Sequence, residues 1–412
     1  MIPMKTETLM LVAGEASGDK HGAALARALK QLYPETRFEL FGSGGDEMRA
    51  AGVETLVDAR DVAIIGVPEI ARALRRFYRA YRTLLSAARR RRPAAIVLID
   101  WPDFNMRLAR KLHREGFKIV YYVSPQVWAW RRYRVEALRR DVDRMLVILP
   151  FEEEFYKKVG IEVEYVGHPL VGEVVATESR DEFCRAHGLD PTRPIFALLP
   201  GSRHKEIHYH LPIMLDAAIR LRNAKCGLRI KETTRAQSSI NTQYAIRNPQ
   251  FVIPLASTVR PEQVEPAIQQ AQIASKELSV RVIENDTYNA LIYSDFAVVA
   301  SGTATVEAAL AGTPMVIIYR GSEVNWRLIR PLIQLDTFGM VNLIAGRCIV
   351  PELMQRDATG ERIAREVSAI LSDPRGLSRM QKDLEYVREL LTADGGPGAE
   401  QAARAVMEVI SK

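Results

Sequence analysis

The apolar positions of this chain come in short, nearly unbroken runs. Thr8–Ala13, Arg37–Gly42, Ala94–Asp100, Phe117–Val123 and Arg144–Leu149 are the first five. Between them, as in His21–Leu32 and Phe104–Glu115, apolar residues recur at helical spacing. Continuous Val/Ile/Leu runs followed by amphipathic helices predict parallel strands covered on both faces. The rhythm pauses near Gly167-His168-Pro169 and resumes with Ile195–Leu199, Gln250–Ala256, Ser279–Ile283, Phe296–Ala300 and Pro314–Tyr319. Two such halves predict an α/β fold of two Rossmann-like domains facing across a cleft, spanning residues 1–170 and 171–358. Residues 359–412 read as a helical tail, broken at Asp394–Gly398 and expected to pack back on the N-terminal domain. The polar, weakly periodic stretch 223–249 reads as a surface insertion on the second domain.

Length and composition narrow the class. The chain has 412 residues, 47% hydrophobic and 26% charged, which are globular values. No apolar run approaches the roughly 18–20 residues needed to span a bilayer. Leu9–Ala13 runs straight into Gly14-Glu15, without the pattern of a secretory leader. Cys184, Cys226 and Cys348 are too scattered for a disulfide framework or a CxxC metal site, so a cytoplasmic location is expected. The net charge is +7, and Val57–Arg92 alone holds ten arginines against three acidic residues. A local basic patch points to an anionic partner: phosphate, nucleic acid or an acidic membrane face.

Ligands of open α/β sheets bind beyond the carboxyl ends of the strands, and four such ends carry candidate chemistry. Gly14–Asp19, including Ser17 and Asp19, forms a tight turn into a helix; by itself it reads as a strand–helix turn with an Asp cap. Asp100 ends a buried strand and is a candidate general base. Asp103, just after Pro102, looks more like a helix-start residue, and Asn105 completes that segment. Gly201, Ser202 and Arg203 offer close backbone approach, N–H donors and a bidentate phosphate grip. Gly302 and Thr303 open a helix whose N-terminus suits a diphosphate, and Glu307 could accept from a ribose diol.

In these motifs the chain resembles the lipid-A-disaccharide synthase family of glycosyltransferases. The segments that carry the resemblance are LVAGEASGD (Leu11–Asp19), IDWPDFN (Ile99–Asn105), YYVSPQVWAWR (Tyr121–Arg131), LPFEEEFY (Leu149–Tyr156), VGHPL (Val166–Leu170), LLPGSRHKEI (Leu198–Ile207), Ala300–Arg320 and VNLIAGR (Val341–Arg347). They run in family order over nearly the whole chain. The resemblance implies the two-Rossmann-domain, GT-B type glycosyltransferase fold. It implies an inverting reaction of UDP-2,3-diacylglucosamine with 2,3-diacylglucosamine 1-phosphate, giving the β-1,6 lipid A disaccharide phosphate and UDP. Asp100 would be the general base, Arg203 a diphosphate donor, Glu307 a ribose ligand, and Asn342 part of the donor site. Asp103, Trp128, Arg131 and His168 match motif positions. Arg203 and the helix N-terminus near Gly302 could stabilise the charge of the leaving diphosphate, so the reaction is expected to need no metal or other cofactor. Family members connect the elements flanking 223–249 more briefly.

The basic stretch fits acylated substrates. From about Pro68, Ile70, Leu74, Phe77, Tyr78, Tyr81 and Leu85 recur at helical spacing, interleaved with arginines that include Arg75 and Arg76. This reads as a membrane-surface helix on the anionic inner membrane, against a core helix with a solvated arginine face. Nucleic acid is the weaker partner, since no nucleic-acid-binding signature accompanies the charge. Tyr121, Tyr122, Trp128, Trp130 and Tyr133 suit either a packed core or a sugar and acyl site, and the sequence leaves both open. A homodimer is compatible with the amphipathic last helix. Two other classes also remain: a further UDP-sugar enzyme, such as an epimerase or cell-wall glycosyltransferase, and a non-catalytic UDP- or lipid-binding protein.

Overall fold

The structure, a computed structural model, describes residues 5–59, 70–128, 134–223, 229–231, 243–245, 248–256, 258–323, 326–327, 330, 337–392 and 396–411. The chain divides into two compact units, one of Met1–Val171 with Leu391–Lys412, the other of Gly172–Leu390.

The first unit holds strands β1 (Lys5–Val12), β2 (Thr36–Gly44), β3 (Glu54–Asp58), β4 (Ala95–Ile99), β5 (Ile119–Tyr122), β6 (Arg144–Val147) and β7 (Glu164–Tyr165). They form one sheet in the order β3-β2-β1-β4-β5-β6-β7, every pairing parallel. Its helices are α1 (Ala16–Leu32), α2 (Asp46–Ala50), α3 (Ile70–Arg91), α4 (Pro102–His113), α5 (Val135–Asp141) and α6 (Pro150–Lys158). β4 and β5 are buried along their whole length, which is why their sequences carry no alternation. Met10, Val12, Ile96, Leu98 and Tyr121 of the sheet meet Leu84 and Ala88 of α3 and Phe104 and Leu108 of α4.

The second unit holds α7 (Arg180–Ala186), β8 (Ile195–Leu199), α8 (His204–Asn223), β9 (Arg229–Lys231), β10 (Gln243–Ala245), β11 (Gln250–Pro254), α9 (Glu265–Ala274), β12 (Val280–Ile283), α10 (Thr287–Ile292), β13 (Phe296–Ala300), α11 (Ala304–Ala311), β14 (Met315–Tyr319), α12 (Met340–Ala345), β15 (Glu352–Met354), α13 (Gly360–Ser372) and α14 (Pro374–Leu391). Its sheet is also parallel, in the order β12-β11-β8-β13-β14-β15. With the β9–β10 hairpin set aside, both sheets share one pattern: two further strands lie on one side of a central strand and the rest lie on its other side. The order reverses beside β1 in the first sheet and beside β8 in the second. Of the expected insertion, β9 and β10 form an antiparallel hairpin, and most of its remaining residues lie outside those described.

The tail differs from the expectation that all of it joins the N-terminal domain. Ile363, Val367 and Leu371 of α13 pack into the second unit's core with Leu211, Met214 and Leu215 of α8. Only the last helix, α15 (Gly398–Ser411), lies with the first unit. There the Val409 carbonyl accepts from Lys118 Nζ at 3.0 Å, and Glu408 pairs with Arg144 at 2.8 Å. The reason is sequence distance: α13 follows β15 directly and buries its apolar stripe on the nearest sheet.

Helix α3 also divides differently from its sequence reading. Ala80, Leu84, Leu85, Ala87 and Ala88 are core residues. Phe77, expected on a membrane face, packs inward: its ring meets Phe104 edge-on at 4.8 Å and Trp101 at 6.2 Å. Arg75, Arg76, Tyr78, Arg79 and Arg82 are exposed, Tyr78 by 61%. Pro68 and the side chains of Ile70 and Leu74 lie outside the described residues.

One close approach holds the ends of β1 and β4 together. A Cβ on Gly14 would sit 2.1 Å from Trp101 Cδ2, so the indole occupies the space a side chain would need. Gly14→Ala should therefore push Trp101 off its neighbours and cost about 1–3 kcal/mol, the usual penalty for overpacking. Denaturant unfolding of the two proteins checks this.

Candidate active site

The two places where strand order reverses collect the four motifs in pairs. The ends of β1 and β4 bring Gly14–Asp19 to Asp100–Asn105. The ends of β8 and β13 bring Pro200–Arg203 to Ser301–Thr303.

At the first, Asp100 and Trp101 both have φ of +47°, in the left-handed region. Bulky residues rarely adopt it, and the conformation costs roughly 1–3 kcal/mol each time. Neighbours enforce it. The Asp100 N–H donates to the Tyr122 carbonyl at 3.1 Å. The Asp100 carbonyl accepts from Tyr121 Oη at 2.7 Å and Asn105 Nδ2 at 2.8 Å. Trp101 stacks on Phe104 with centroids 3.9 Å apart and planes 5° off parallel. Burial pushes the Tyr121 phenol well above its ordinary range, keeping it a donor. Asn105 is fully buried, and its Nδ2 also reaches the carbonyls of Ile99 at 3.2 Å and Val12 at 3.4 Å.

The neighbouring motif residues have other tasks. Asp19 is buried and accepts from the N–H groups of Gly45 at 2.6 Å and of Glu47 and Met48 at 3.1 Å, so it ties α1 to α2. Ser17 is half-buried in the first turn of α1. Asp103 is ion-paired with Arg134 on the surface, a pairing that contributes little to stability. His168 and His21 are buried edge to face, centroids 6.3 Å apart. His168 Nδ1 accepts from the Leu170 N–H at 3.2 Å. Burial lowers His21 to about 4 and His168 to about 3, and each also feels a neighbour, Lys20 and His21 respectively. Tyr121, Tyr122 and Trp128 are buried, so the open choice for the aromatic cluster resolves to core at those three. Trp130, Arg131 and Tyr133 lie outside the described residues.

At the second reversal the expected anion cradle is partly filled by the protein itself. Glu206 Oε2 accepts from the Ser202 N–H at 2.9 Å and the Arg203 N–H at 3.2 Å. Gly201 has φ of +115°, and a Cβ there would lie 2.4 Å from that oxygen. The side chain of Arg203 is 69% exposed and lies 3.5 Å from Glu206. Across the reversal, Ser301 Oγ donates to the Phe338 carbonyl at 3.1 Å, and Gly302-Thr303 lead exposed into α11. Glu307 sits half-buried in that helix's first turn.

Asn342 is buried and bonded within its own unit. Its Nδ2 donates to the Val350 carbonyl at 2.9 Å and Glu352 Oε1 at 2.7 Å, and its Oδ1 accepts from Ile349 and Val350. Glu352 in turn accepts from the Phe338 and Gly339 N–H groups at 2.8 and 2.9 Å. The motif residue is thus a pin that shapes the loop under Ser301.

Sequence reasoning missed three residues that hold these loops. His210 donates from Nδ1 to the Pro200 carbonyl at 2.8 Å and accepts at Nε2 from the Arg320 N–H at 3.0 Å, which joins the ends of β8 and β14. Burial lowers its pKa, in keeping with that neutral tautomer. Glu206 and Glu152 are the others; both stood inside quoted motifs, but only their capping geometry reveals their partners. Outside the motifs, Glu178, His187 and Asp286 hold potential metal-ligand atoms within 4.8 Å of one another, with His187 3.2 Å from Asp286, at the joint of α7 and α10.

Two consecutive Rossmann-ordered sheets, each with turn-and-helix motifs at its point of reversal, give the chain the two-domain α/β architecture of the GT-B type. The chain belongs to the lipid-A-disaccharide synthetase family, whose model matches residues 9–406. The lipid-A-disaccharide synthase of Koribacter versatilis is 43% identical over 407 residues, 98% of this chain and 99% of that protein. The Staphylococcus aureus MnaA–UDP co-structure has a similar fold, with a TM-score of 0.64 at 13% identity over 98% of both chains. So does the calicheamicin glycosyltransferase CalG4, with a TM-score of 0.56 at 14% identity over 100% of this chain and 99% of that one.

Two outcomes follow. Asn342→Ala strips partners from two buried N–H groups and a carboxylate and should cost about 2–4 kcal/mol in urea unfolding. The buried histidines set the acid limb of stability. Both fold with pKa values, about 4 and about 3, below the 6.5 of the unfolded chain. Their contribution is therefore complete above pH 6.5 and falls as pH drops toward 4, by up to about 1.4 kcal/mol per pH unit for each. Glu152, held near 7, acts in the opposite sense over the same range. His168→Asn should flatten the pH 6.5–4.5 slope by one proton's worth, measured by unfolding at several pH values.

Proposed function

We propose that the chain joins the diacylglucosaminyl group of UDP-2,3-diacylglucosamine to the 6-hydroxyl of 2,3-diacylglucosamine 1-phosphate. The observation that carries the reading is Asp100, a carboxylate at the point of reversal with its backbone clamped in a strained conformation. Asp100 takes the hydroxyl proton as that oxygen attacks the anomeric carbon. The bond from that carbon to the diphosphate breaks, and UDP leaves with the electron pair. One base and one leaving group suffice for inversion.

On the second unit, Arg203 and the N-terminus of α11 at Gly302-Thr303 are suited to the charge that builds on the diphosphate. Glu307 is suited to the ribose. Asn105 supports placing the acceptor at the first unit: its Oδ1 is a buried acceptor with no hydrogen-bond partner among the described residues. The expected chemistry needs no metal, so EDTA should leave turnover unchanged.

Among the described residues no helix is long and apolar enough to cross a membrane. The outer face of α3, with Arg75, Arg76, Tyr78, Arg79 and Arg82, suits an anionic membrane surface carrying acylated substrates. Arg82 lies over the Tyr78 ring at 6.0 Å.

Purified protein in mild detergent, given both lipid substrates, tests the reading by mass spectrometry of the product and by UDP release. Asp100→Ala should lower turnover by roughly 10²–10⁴-fold, the usual range for a general base, with UDP still bound. Glu307→Ala and Arg203→Ala should weaken UDP binding. No product with UDP bound would transfer the chain to another UDP-sugar activity or a binding role. Replacing Arg75, Arg76 and Tyr78 by Ser should release the protein from anionic vesicles; unchanged sedimentation would return that face to plain solvation.

A further inference from the structure

Glu152 is a buried carboxyl that the reaction above does not use. It is 1% exposed, on α6. Its Oε1 accepts from Ser124 Oγ at 2.5 Å and Trp128 Nε1 at 3.1 Å, and its Oε2 from the Leu149 N–H at 3.1 Å. Phe151 of the same helix meets Trp128 edge-on at 4.9 Å, and Tyr156 Oη reaches the Pro125 carbonyl at 3.4 Å. Helix α6 thus grips the segment 124–128 at Ser124, Pro125 and Trp128.

That segment leaves the end of β5, and the last two residues of β5 are the ones bonded to Asp100. Tyr122 accepts from its N–H, and Tyr121 donates to its carbonyl. A shift of 124–128 would move the clamp on the catalytic strand end. We propose that Glu152 is a positioning residue of the transfer reaction: it fixes the 124–128 segment, and through it the acceptor side of the site at Asp100. The proposal rests on the reading of Asp100 as the base.

The chemistry explains why the position carries a carboxylate. Both oxygens face donors, and the indole and backbone N–H groups cannot turn round to accept. A glutamine would set its NH₂ against one of them in either orientation. Packing alone would be better served by an apolar side chain, because a buried carboxylate costs several kcal/mol before its hydrogen bonds offset the loss. Burial raises Glu152 to about 7 against the pull of these donors. The titratable groups facing it are the phenols of Tyr156 on its own helix and Tyr165 on β7; both are pushed up and stay neutral. Glu153 is the remaining acid there, accepting from the Tyr165 N–H at 3.3 Å. The ionised carboxylate accepts from all three donors, and on protonation one of those acceptor sites becomes a donor, so the grip on the segment is expected to change across that ionisation.

The test compares the full chain with Glu152→Gln, Trp128→Phe and the double variant between pH 5.5 and 8.5, with UDP calorimetry counting folded sites. Glu152→Gln should raise the acceptor KM roughly tenfold, the effect of about 1.4 kcal/mol, with UDP affinity unchanged. The ionisation near pH 7 should vanish from its acceptor kcat/KM profile. The double variant should be no worse than Glu152→Gln alone, since both changes break one contact. An unchanged acceptor KM with the pH 7 limb intact, or strictly additive losses, overturns the proposal. If Glu152→Gln does not fold, Trp128→Phe decides by the same KM readout. Should the parent not turn over the lipid pair, the functional reading fails on its own. Trp128 emission then decides for Glu152: a midpoint near pH 7 that Glu152→Gln abolishes supports the grip, and one that persists overturns it.

Discussion

A parallel sheet whose strand order runs outward in both directions from one central strand cannot close over its own carboxyl edge. The loops leaving the two strands beside the reversal must travel to opposite faces, and a crevice opens between them. Both units of this chain obey that constraint, at β1/β4 and at β8/β13. Everything chemical follows from it. Asp100, half-buried, is at a strand end because a strand buried along its whole length can seat a polar residue only there. Gly201 is small because its φ is +115° and Glu206 stands where a side chain would go.

Much of this was legible in the sequence. Unalternated apolar runs announce strands covered on both faces, and the pause near His168 lies close to the end of the first unit at Val171. The four strand-end motifs could be placed before any coordinates, because each followed such a run directly. What could not be read was the direction in which polar side chains point. Asn342 and Asp19 sit in segments that look like ligand sites, yet each is consumed by backbone groups brought from elsewhere: Ile349 and Val350 for the first, Gly45, Glu47 and Met48 for the second. Phe77 illustrates the same limit on a helix. Its spacing with Tyr78 and Tyr81 suited an outward apolar face, but only the position of Phe104 shows which side is inward.

The loops are held largely by charged and titratable groups rather than by packing alone. Glu152, Glu206 and Glu352 each accept two or more N–H donors, and His210 spans two strand ends in a single tautomer. Such supports are directional, so they fix loop shape more sharply than apolar contacts can.

The last helix has a consequence for how the protein is made. Residues 172–390 emerge from the ribosome before α15 does, so the second unit has its whole chain in hand while the first still lacks a helix. Until then the surface of α1 that receives α15 has nothing synthesised to cover it. The order of domain completion is thus the reverse of the order in which the domains begin. A newborn chain passes through a stage with its second domain complete and its first domain exposed, the stage at which a chaperone would have most to protect.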